Sequence, residues 1–173
     1  MIKHAILFAG LGASLLVSCS SDAPPPKHKQ YTKDQLLTAN RVDAHRESDD
    51  IDAYILHHHY VMKGSGTGLR YMFIQHSIKG DSVHSGQFAK VAYTVFLLDG
   101  TLCYSSAQDG QREFRVGEDH VESGIHEAVM LMKTGDKLRF ILPSNLAHGL
   151  LGDGDKIPPR APVLYEVELI SVR

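Results

Sequence analysis

Two alternating apolar segments that enclose a loop rich in glycine and proline constrain the fold of this chain most strongly. Residues 138–142 and residues 163–169 each place an apolar side chain at every second position, which is typical of half-buried strands. The loop between them ends in Pro158-Pro159, and proline has no N–H with which to join a helix or a sheet. The stretch therefore predicts two strands joined by an irregular loop.

Three further segments show the same pattern upstream. Residues 90–98 alternate, and Asp99-Gly100 after them is a dipeptide typical of a tight hairpin, with a returning strand from Leu102. Shorter strands are predicted at residues 69–76 and 114–117. The chain is therefore expected to contain one mainly antiparallel sheet.

One short helix is predicted between these strands. Ile125, Val129 and Met132 recur at helical spacing, Ser123 can cap the N-terminus, and Gly135 can end the helix. Several antiparallel strands with one helix against a face give an α+β fold.

Residues 32–63 predict a helical extension ahead of the sheet. Thr32 and Gln35 have the spacing of a capping box, and apolar side chains recur at helical spacing after them. Asp49-Asp50 suggests the start of a second helix, with Ile51 on its apolar stripe. We expect the extension to pack on its own domain; the alternative is a dimer formed through these helices.

The first residues predict export rather than a folded element. Lys3 precedes an apolar run over residues 5–17, which is shorter than a membrane-spanning helix needs to be. The run ends in Leu16-Val17-Ser18-Cys19, which resembles the lipobox of bacterial lipoproteins and implies cleavage before a lipidated Cys19. The alternative is an ordinary secretory signal with an incidental cysteine. The predicted segments are a signal peptide at 1–18, a proline-rich tether at 19–31, the helical extension at 32–63 and a domain at 64–173.

Several function classes receive no support from the sequence. A formal net charge of −2 without a basic run argues against nucleic acid as a partner. His57-His58-His59 cannot converge on one ion from a helix, because consecutive side chains point about 100° apart, and we expect no metal. The glycine-rich segment 64–68 lacks the ending of a phosphate loop and predicts a hinge. With Cys19 lipidated, Cys103 has no intrachain disulfide partner.

A set of spaced motifs between residue 91 and residue 169 resembles one known family. They occur in this order: Val91-Ala-Tyr-Thr94, Asp99-Gly100, Ser105-Ser106, Phe114-x-Val-Gly117, Gly124, Gly135-Asp-Lys-Leu138, Pro143-Ser-x-Leu-Ala-x-Gly149, Ile157-Pro-Pro159 and Leu164-Tyr-Glu-Val-Glu-Leu169. This order and spacing resemble the FK506-binding-protein (FKBP) type of peptidyl-prolyl cis-trans isomerase. Residues 60–71 also resemble the segment that precedes the FKBP domain in outer-membrane lipoproteins of gliding bacteria.

The resemblance implies a curved antiparallel half-barrel wrapped around the short helix, with a pocket between sheet and helix. It assigns catalytic walls of the pocket to Tyr93, Phe114 and Tyr165. It assigns substrate contacts to Cys103, Val121, Glu122, Ile125, His148 and Ile157.

Five positions depart from the pattern of the family. Cys103-Tyr104 stands where an aromatic residue and an aspartate are usual, so the carboxylate that would orient Tyr93 is missing. Glu122 replaces an apolar residue, Ile125 replaces a tryptophan floor, and His148 replaces a tyrosine that binds substrate. The departures predict weakened turnover or weakened drug binding without arguing against the fold.

The reaction that the resemblance implies needs neither a cofactor nor a metal. Rotation about the bond before proline is opposed by amide resonance, with a barrier of about 20 kcal/mol. An apolar pocket without a charged catalytic pair is therefore expected. Two functions follow: an isomerase for proteins that fold at the cell envelope, or a chaperone or assembly factor if Tyr104 fills the pocket or Glu122 blocks it. Proline-containing polypeptides are the expected partners, and the expected location is the outer membrane, through the lipid anchor, facing the periplasm.

Overall fold

The computed structural model describes residues 31–173, and residues 33–173 form one compact unit. The predicted signal peptide, Cys19 and nearly all of the tether lie outside the described residues. In chain order the elements are α1 (Lys33–His57), β1 (Lys63–Gly64), β2 (Arg70–Gln75), β3 (Phe88–Leu97), β4 (Leu102–Ser105), α2 (Ser106–Asp109), β5 (Arg112–Arg115), α3 (Ser123–Val129), β6 (Lys137–Leu142), a 3₁₀ turn (Ser144–Leu146) and β7 (Val163–Val172).

The strands form one antiparallel sheet of seven strands in the spatial order β1-β2-β6-β7-β3-β4, and β5 pairs with β3 outside this path. The two ten-residue strands, β3 and β7, lie side by side, with Val95 opposite Tyr165. The other edge of β3 is shared, because β5 pairs with its first residues and β4 with its later ones. With β6 on one side and β3 on the other, β7, the last strand in chain order, lies in the middle of the sheet.

The predicted alternation sets the inner face of the sheet. Leu138, Phe140 and Leu142 are fully buried and pack with Ile125 of α3 in the main core. Gly124 permits this close approach, because a Cβ at its position would lie 2.4 Å from a terminal carbon of Leu142. The predicted α+β arrangement, an antiparallel sheet with a short helix against one face, is confirmed.

The helix α3 differs from the prediction at both ends. It ends at Val129, and the N–H of Met132 bonds three residues back to the carbonyl of Val129, which is a tighter turn than an α-helix makes. Ser123 is the first helical residue, and the cap position is occupied by Glu122, whose side chain makes no capping hydrogen bond. Spacing locates a helix but does not fix the residue at which the backbone becomes helical.

The predicted extension is one helix, α1, rather than two. No glycine or proline interrupts its 25 residues, so the acidic pair Asp49-Asp50 continues the helix instead of starting a new one. Ile51 is 1 % exposed and packs with Ile141 and Leu164 on the outer face of the sheet. Packing on its own domain is therefore confirmed for the second half of α1.

The first half of α1 remains exposed. Leu36 and Leu37 are 50 % and 52 % exposed. Within residues 31–173, no helix is both long enough and apolar enough to cross a membrane.

The glycine-rich segment predicted as a hinge forms the turn of the β1–β2 hairpin. The N–H of Ser65 donates to the carbonyl of Leu69 at 2.9 Å, and the hydroxyl of Thr67 donates to the carboxylate of Glu127 on α3 at 2.7 Å. The segment is thus tied to the domain, because its glycines supply turn conformations rather than a flexible joint.

Candidate functional site

A cavity of about 340 Å³ opens on the inner face of the sheet. Its walls come from β3, β4, α2, β5, the start of α3, β7 and residues 143–162, which we call the β6–β7 loop. Most of the predicted site residues line it: Tyr93, Phe114, Val121, Glu122, Ile125, His148 and Tyr165.

Three aromatic rings form part of the wall, and the strands place them there. Phe114 of β5 and Tyr165 of β7 are each 5 % exposed, and Tyr93 of β3 is half-buried. The ring of Tyr165 is stacked on that of Phe140, with ring centroids 5.2 Å apart and planes at 5°. Phe140 therefore covers one face of the Tyr165 ring and holds the ring in place, so that only the other face is open to a ligand.

The two tyrosine hydroxyls on this wall are held in the neutral form. Burial raises the pKa of Tyr165, and the nearby carboxylate of Glu122 raises it further. Burial, followed by the carboxylate of Asp109, also raises the pKa of Tyr93. Each hydroxyl therefore remains a hydrogen-bond donor at neutral pH.

A histidine that the sequence did not single out fixes the segment leading into α3. Nδ1 of His126 accepts a hydrogen bond from the N–H of Gly117 at 2.9 Å, and its Nε2 lies 3.1 Å from the carbonyl oxygen of Asp119. The same ring meets Phe114 edge to face, with centroids 5.6 Å apart. His126 thus braces the turn that places Val121 on the wall.

The structure brings together two residues that the sequence predicted separately. Nε2 of His148 lies 3.2 Å from Oε1 of Glu122, and the two side chains are 18 % and 17 % exposed. The cavity is therefore less apolar than expected, because an imidazole and a carboxylate meet at its wall. Among the described residues that line the cavity there is no serine, threonine or cysteine, so the pair has no nucleophile of the usual hydroxyl or thiol kind to activate.

Tyr104, which stands where the resemblance expects an aspartate, is bonded to a carboxylate from a distant part of the chain. Asp153 of the β6–β7 loop accepts a short hydrogen bond from the hydroxyl of Tyr104 and two more from the N–H groups of Asp155 and Ile157, at 2.9 and 2.8 Å. The bond to Asp153, together with burial, raises the pKa of Tyr104 to about 12. Tyr104 is thereby held against the loop and does not fill the cavity.

Two more charged residues, Asp109 and Arg112, line the wall although the sequence motifs did not predict them. Asp109 ends the four-residue helix α2, and its carboxylate accepts a hydrogen bond from the N–H of Ser105 at 3.2 Å. Arg112 follows at the start of β5. Neither belongs to one of the spaced motifs of the resemblance, and only the segment between β4 and β5 brings them to the cavity.

Two predicted substrate contacts, Cys103 and Ile157, lie elsewhere. They are 1 % and 2 % exposed and belong to the main core behind the cavity wall. Burial, followed by the negative charge of Asp153, raises the pKa of the Cys103 thiol. The structure therefore corrects both assignments, because these side chains support the wall without forming its surface.

The histidine run near the end of α1 takes part in aromatic packing. The ring of His58 lies 4.0 Å from that of Tyr54 and 5.4 Å from that of Tyr60, measured between centroids. Its Nδ1 lies 2.9 Å from the carbonyl oxygen of Tyr54. Within residues 31–173, no three histidine, cysteine, aspartate or glutamate side chains gather as a metal site requires.

Comparison with known proteins gives a consistent result. The sequence model of the family described as FKBP-type peptidyl-prolyl cis-trans isomerase matches residues 80–170. The macrophage infectivity potentiator of Trypanosoma cruzi is 44 % identical over 85 residues, which is 49 % of this chain and 42 % of that protein. A probable FKBP-type peptidyl-prolyl cis-trans isomerase of Haemophilus influenzae is 36 % identical over 112 residues, which is 64 % of this chain and 45 % of that protein. The chain thus spans less than half the length of these two curated relatives.

Solved structures show the same fold. FkpA from Escherichia coli superposes with a TM-score of 0.63 at 24 % identity, covering 83 % of this chain and 74 % of that one. AtFKBP13 superposes with a TM-score of 0.61 at 28 % identity, covering 65 % of this chain and 99 % of that one. The family match extends over more than half of the sequence and includes most of the cavity wall. The chain belongs to the FKBP-type peptidyl-prolyl cis-trans isomerase family.

Proposed function

We propose that this domain catalyses cis-trans isomerisation of the peptide bond before proline in polypeptide substrates. The observation that carries the proposal is the open cavity walled by Tyr93, Phe114 and Tyr165. A proline ring is apolar and compact, and such a cavity can enclose it while the chain on either side runs out to solvent. Membership of the isomerase family supports the same activity.

The chemistry requires only differential binding. The planar amide is polar through resonance, and the twisted transition state has lost that resonance and its charge separation. An apolar wall therefore disfavours the planar ground state relative to the twisted state, which lowers the barrier. The proposed reaction involves neither a metal nor a cofactor.

Hydrogen-bond donors at the cavity wall can add to this preference. Among the described residues, no acceptor takes the backbone N–H of Glu122, which leaves it available to a substrate carbonyl. The neutral hydroxyls of Tyr93 and Tyr165 are further donors on the same wall. A donor that meets the carbonyl oxygen better in the twisted geometry than in the planar one increases the rate.

The alternative function is that of a chaperone or assembly factor without useful turnover. That reading depends on a cavity filled by Tyr104 or blocked by Glu122. Each side chain instead has a partner on the β6–β7 loop, Asp153 for Tyr104 and His148 for Glu122, and the volume between them stays open. This arrangement favours the isomerase.

A proline-isomerisation assay on the fragment from Lys33 to Arg173 tests the proposal. We expect acceleration over buffer that Tyr165→Leu reduces by at least about tenfold, since the variant keeps apolar bulk but removes the ring and hydroxyl. Circular dichroism should show that the variant remains folded. A rate no greater than that of buffer, with retained binding of unfolded chains, would establish the chaperone alternative instead.

We further propose that the protein is held at the outer membrane, facing the periplasm, by lipid attached to Cys19. The sequence Leu16-Val17-Ser18-Cys19 at the end of an apolar run supports this. On this proposal the clients are proline-containing envelope proteins, including components of a gliding-type machinery. A dimer, if one forms, would use the exposed first half of α1. Labelled palmitate should be incorporated into the wild-type chain and not into Cys19→Ser; equal labelling of both would refute the anchor.

A further inference from the structure

The β6–β7 loop has little regular structure of its own, yet it carries part of the cavity wall. Apart from the 3₁₀ turn Ser144–Leu146 it forms neither helix nor strand. Two backbone hydrogen bonds hold it near the cavity: the N–H of Gly149 donates to the carbonyl of Ser144 at 2.7 Å, and the N–H of Arg160 donates to the carbonyl of Gly149 at 3.0 Å. His148 directly precedes Gly149, which takes part in both bonds, so the position of His148 depends on how Ser144 and Arg160 are held.

Helix α1 holds both of these residues from outside the loop. The carboxylate of Glu47 accepts hydrogen bonds from the backbone N–H of Ser144 and from its hydroxyl, the latter at 2.9 Å. The carboxylate of Asp43, one turn earlier, forms an ion pair with Arg160. Ser144 is 6 % exposed, and its N–H opens the 3₁₀ turn, where no carbonyl of the turn itself can accept it.

From these contacts we infer that α1 sets the geometry of the isomerase pocket, with Glu47 as a positioning residue that acts through Ser144 on His148. His148 in turn meets Glu122 across the cavity at 3.2 Å. A continuous set of contacts therefore runs from α1 to the start of α3. The inference rests on the proposed isomerase function, which it deepens.

The attachment of α1 to the sheet does not depend on Glu47. Ile51 packs with Ile141 and Leu164, and Arg70 of β2 donates to the carboxylate of Asp52 at 3.1 Å. Removing the carboxylate of Glu47 should therefore leave the helix docked while the buried N–H of Ser144 loses its acceptor. The loop can then shift to find another acceptor, and His148 moves with it.

The test uses the compact unit from Lys33 to Arg173 and compares Glu47→Ala with Asp49→Ala. Asp49 lies on the same helix and is exposed. We expect kcat/KM to fall roughly tenfold in Glu47→Ala, as misplacement of a binding group does, and to stay unchanged in Asp49→Ala. Glu47→Gln keeps an oxygen acceptor for the N–H of Ser144 and should recover part of the loss.

A second readout does not depend on catalysis. The imidazole resonances of His148, followed by NMR, should move in Glu47→Ala and remain in place in Asp49→Ala. If Glu47→Ala matches Asp49→Ala in both rate and resonances, the inference is overturned. If the wild-type chain shows no isomerase activity, the proposed function fails, and the resonances of His148 alone then decide whether α1 positions the loop. Should Glu47→Ala not fold, Glu47→Gln is judged by the same resonances.

Discussion

At the scale of single residues, Asp153 shows how the cavity wall is held at Tyr104, a position that departs from the family pattern. Its carboxylate reaches Tyr104, a residue 49 positions away, and also accepts two backbone N–H groups of its own loop. Burial alone would raise the pKa of Asp153, but the hydroxyl of Tyr104 and the N–H groups of Asp155 and Ile157 outweigh it and lower that pKa. The ionised carboxylate is therefore a stabilising group.

The sign of this shift predicts a pH dependence. A folded-state pKa below the unfolded value, about 3.9, gives stabilisation that is complete above that value and lost as pH falls through the folded-state pKa. We expect Asp153→Asn to be less stable than wild type at neutral pH, with the difference shrinking below about pH 4. Urea unfolding at a series of pH values measures it.

Asp155→Asn is the matched control for this experiment. Its side chain is exposed on the same loop, so its unfolding free energy should stay within about 0.5 kcal/mol of wild type. A difference between wild type and Asp153→Asn that stayed constant from neutral pH to pH 3 would contradict the role assigned to the carboxylate.

The charged wall of the cavity predicts a substrate preference. The lining includes three acidic residues, Asp109, Glu122 and Asp153, beside Arg112 and His148, so acidic groups outnumber basic ones. We expect kcat/KM to be higher for peptides with lysine before proline than for those with glutamate. Glu122→Gln should reduce that ratio about threefold, since charge pairs in partly exposed sites contribute under 1 kcal/mol.

A peptide series measured at low and high salt checks the preference. The ratio should fall with added salt, because ions screen the interaction, and Asp49→Asn on the far helix should leave it unchanged. If Glu122→Gln does not alter the ratio of kcat/KM for lysine peptides to that for glutamate peptides, the charge of the cavity wall does not determine substrate preference.

At the scale of elements, α3 depends on Gly124 for its distance from β6. An added methyl group would meet the side chain of Leu142 at 2.4 Å and the carbonyl oxygen of Leu146 at 3.0 Å. We expect Gly124→Ala to cost about 2 kcal/mol of stability by overpacking. It should also lower kcat/KM, because α3 carries Ile125 on the cavity wall. Denaturation and the isomerisation assay measure the two effects.

Gly66→Ala provides the comparison, since no atom lies within 4 Å of the added carbon. Its stability should stay within about 0.5 kcal/mol of wild type. Equal effects of the two substitutions would mean that the close approach of α3 to β6 does not constrain the domain.

The strands were predictable from the sequence because one face of each packs into the core, which requires an apolar side chain at every second position. Leu138, Phe140 and Leu142 recur at every second position, and the strand found there is Lys137–Leu142. Ile141 and Leu164 broke the alternation, as apolar residues on the face expected to meet water. Two apolar residues on that face indicate that another element packs against it. Periodicity alone does not identify this element as α1, whose Ile51 makes the contact.

Residues of the site were predictable where they lie in ordered motifs, and not where loops bring them together. Tyr93, Phe114 and Tyr165 were placed by strand motifs of the family. The turn sequence Asp153-Gly154-Asp155 indicates a bend, but nothing local states that the bend reaches Tyr104. Likewise, the pairing of Glu122 with His148 depends on the β6–β7 loop folding back over α3.

At the scale of the whole molecule, one sheet is covered on both faces. The inner face packs on α3 and the outer face on α1, through Ile51. We expect Ile51→Ala to cost about 2–5 kcal/mol, as removal of a buried isoleucine side chain does, and Leu36→Ala to be nearly neutral because that side chain is half exposed.

The loss in Ile51→Ala should appear in the unfolding of the entire domain. Far-ultraviolet circular dichroism and tyrosine fluorescence should report one coincident transition at a lower midpoint. Early loss of helical signal, followed by an unchanged transition of the sheet, would show instead that α1 unfolds independently.

The central place of β7 has a consequence for biosynthesis. Both of its neighbours, β3 and β6, are made before it, and within residues 31–173 no other strand joins them across the middle of the sheet. β7 must therefore leave the ribosome before the domain can close, and such long-range pairing is slow. For a chain that we propose is exported, this delay keeps the nascent polypeptide unfolded and competent for threading through a translocation channel.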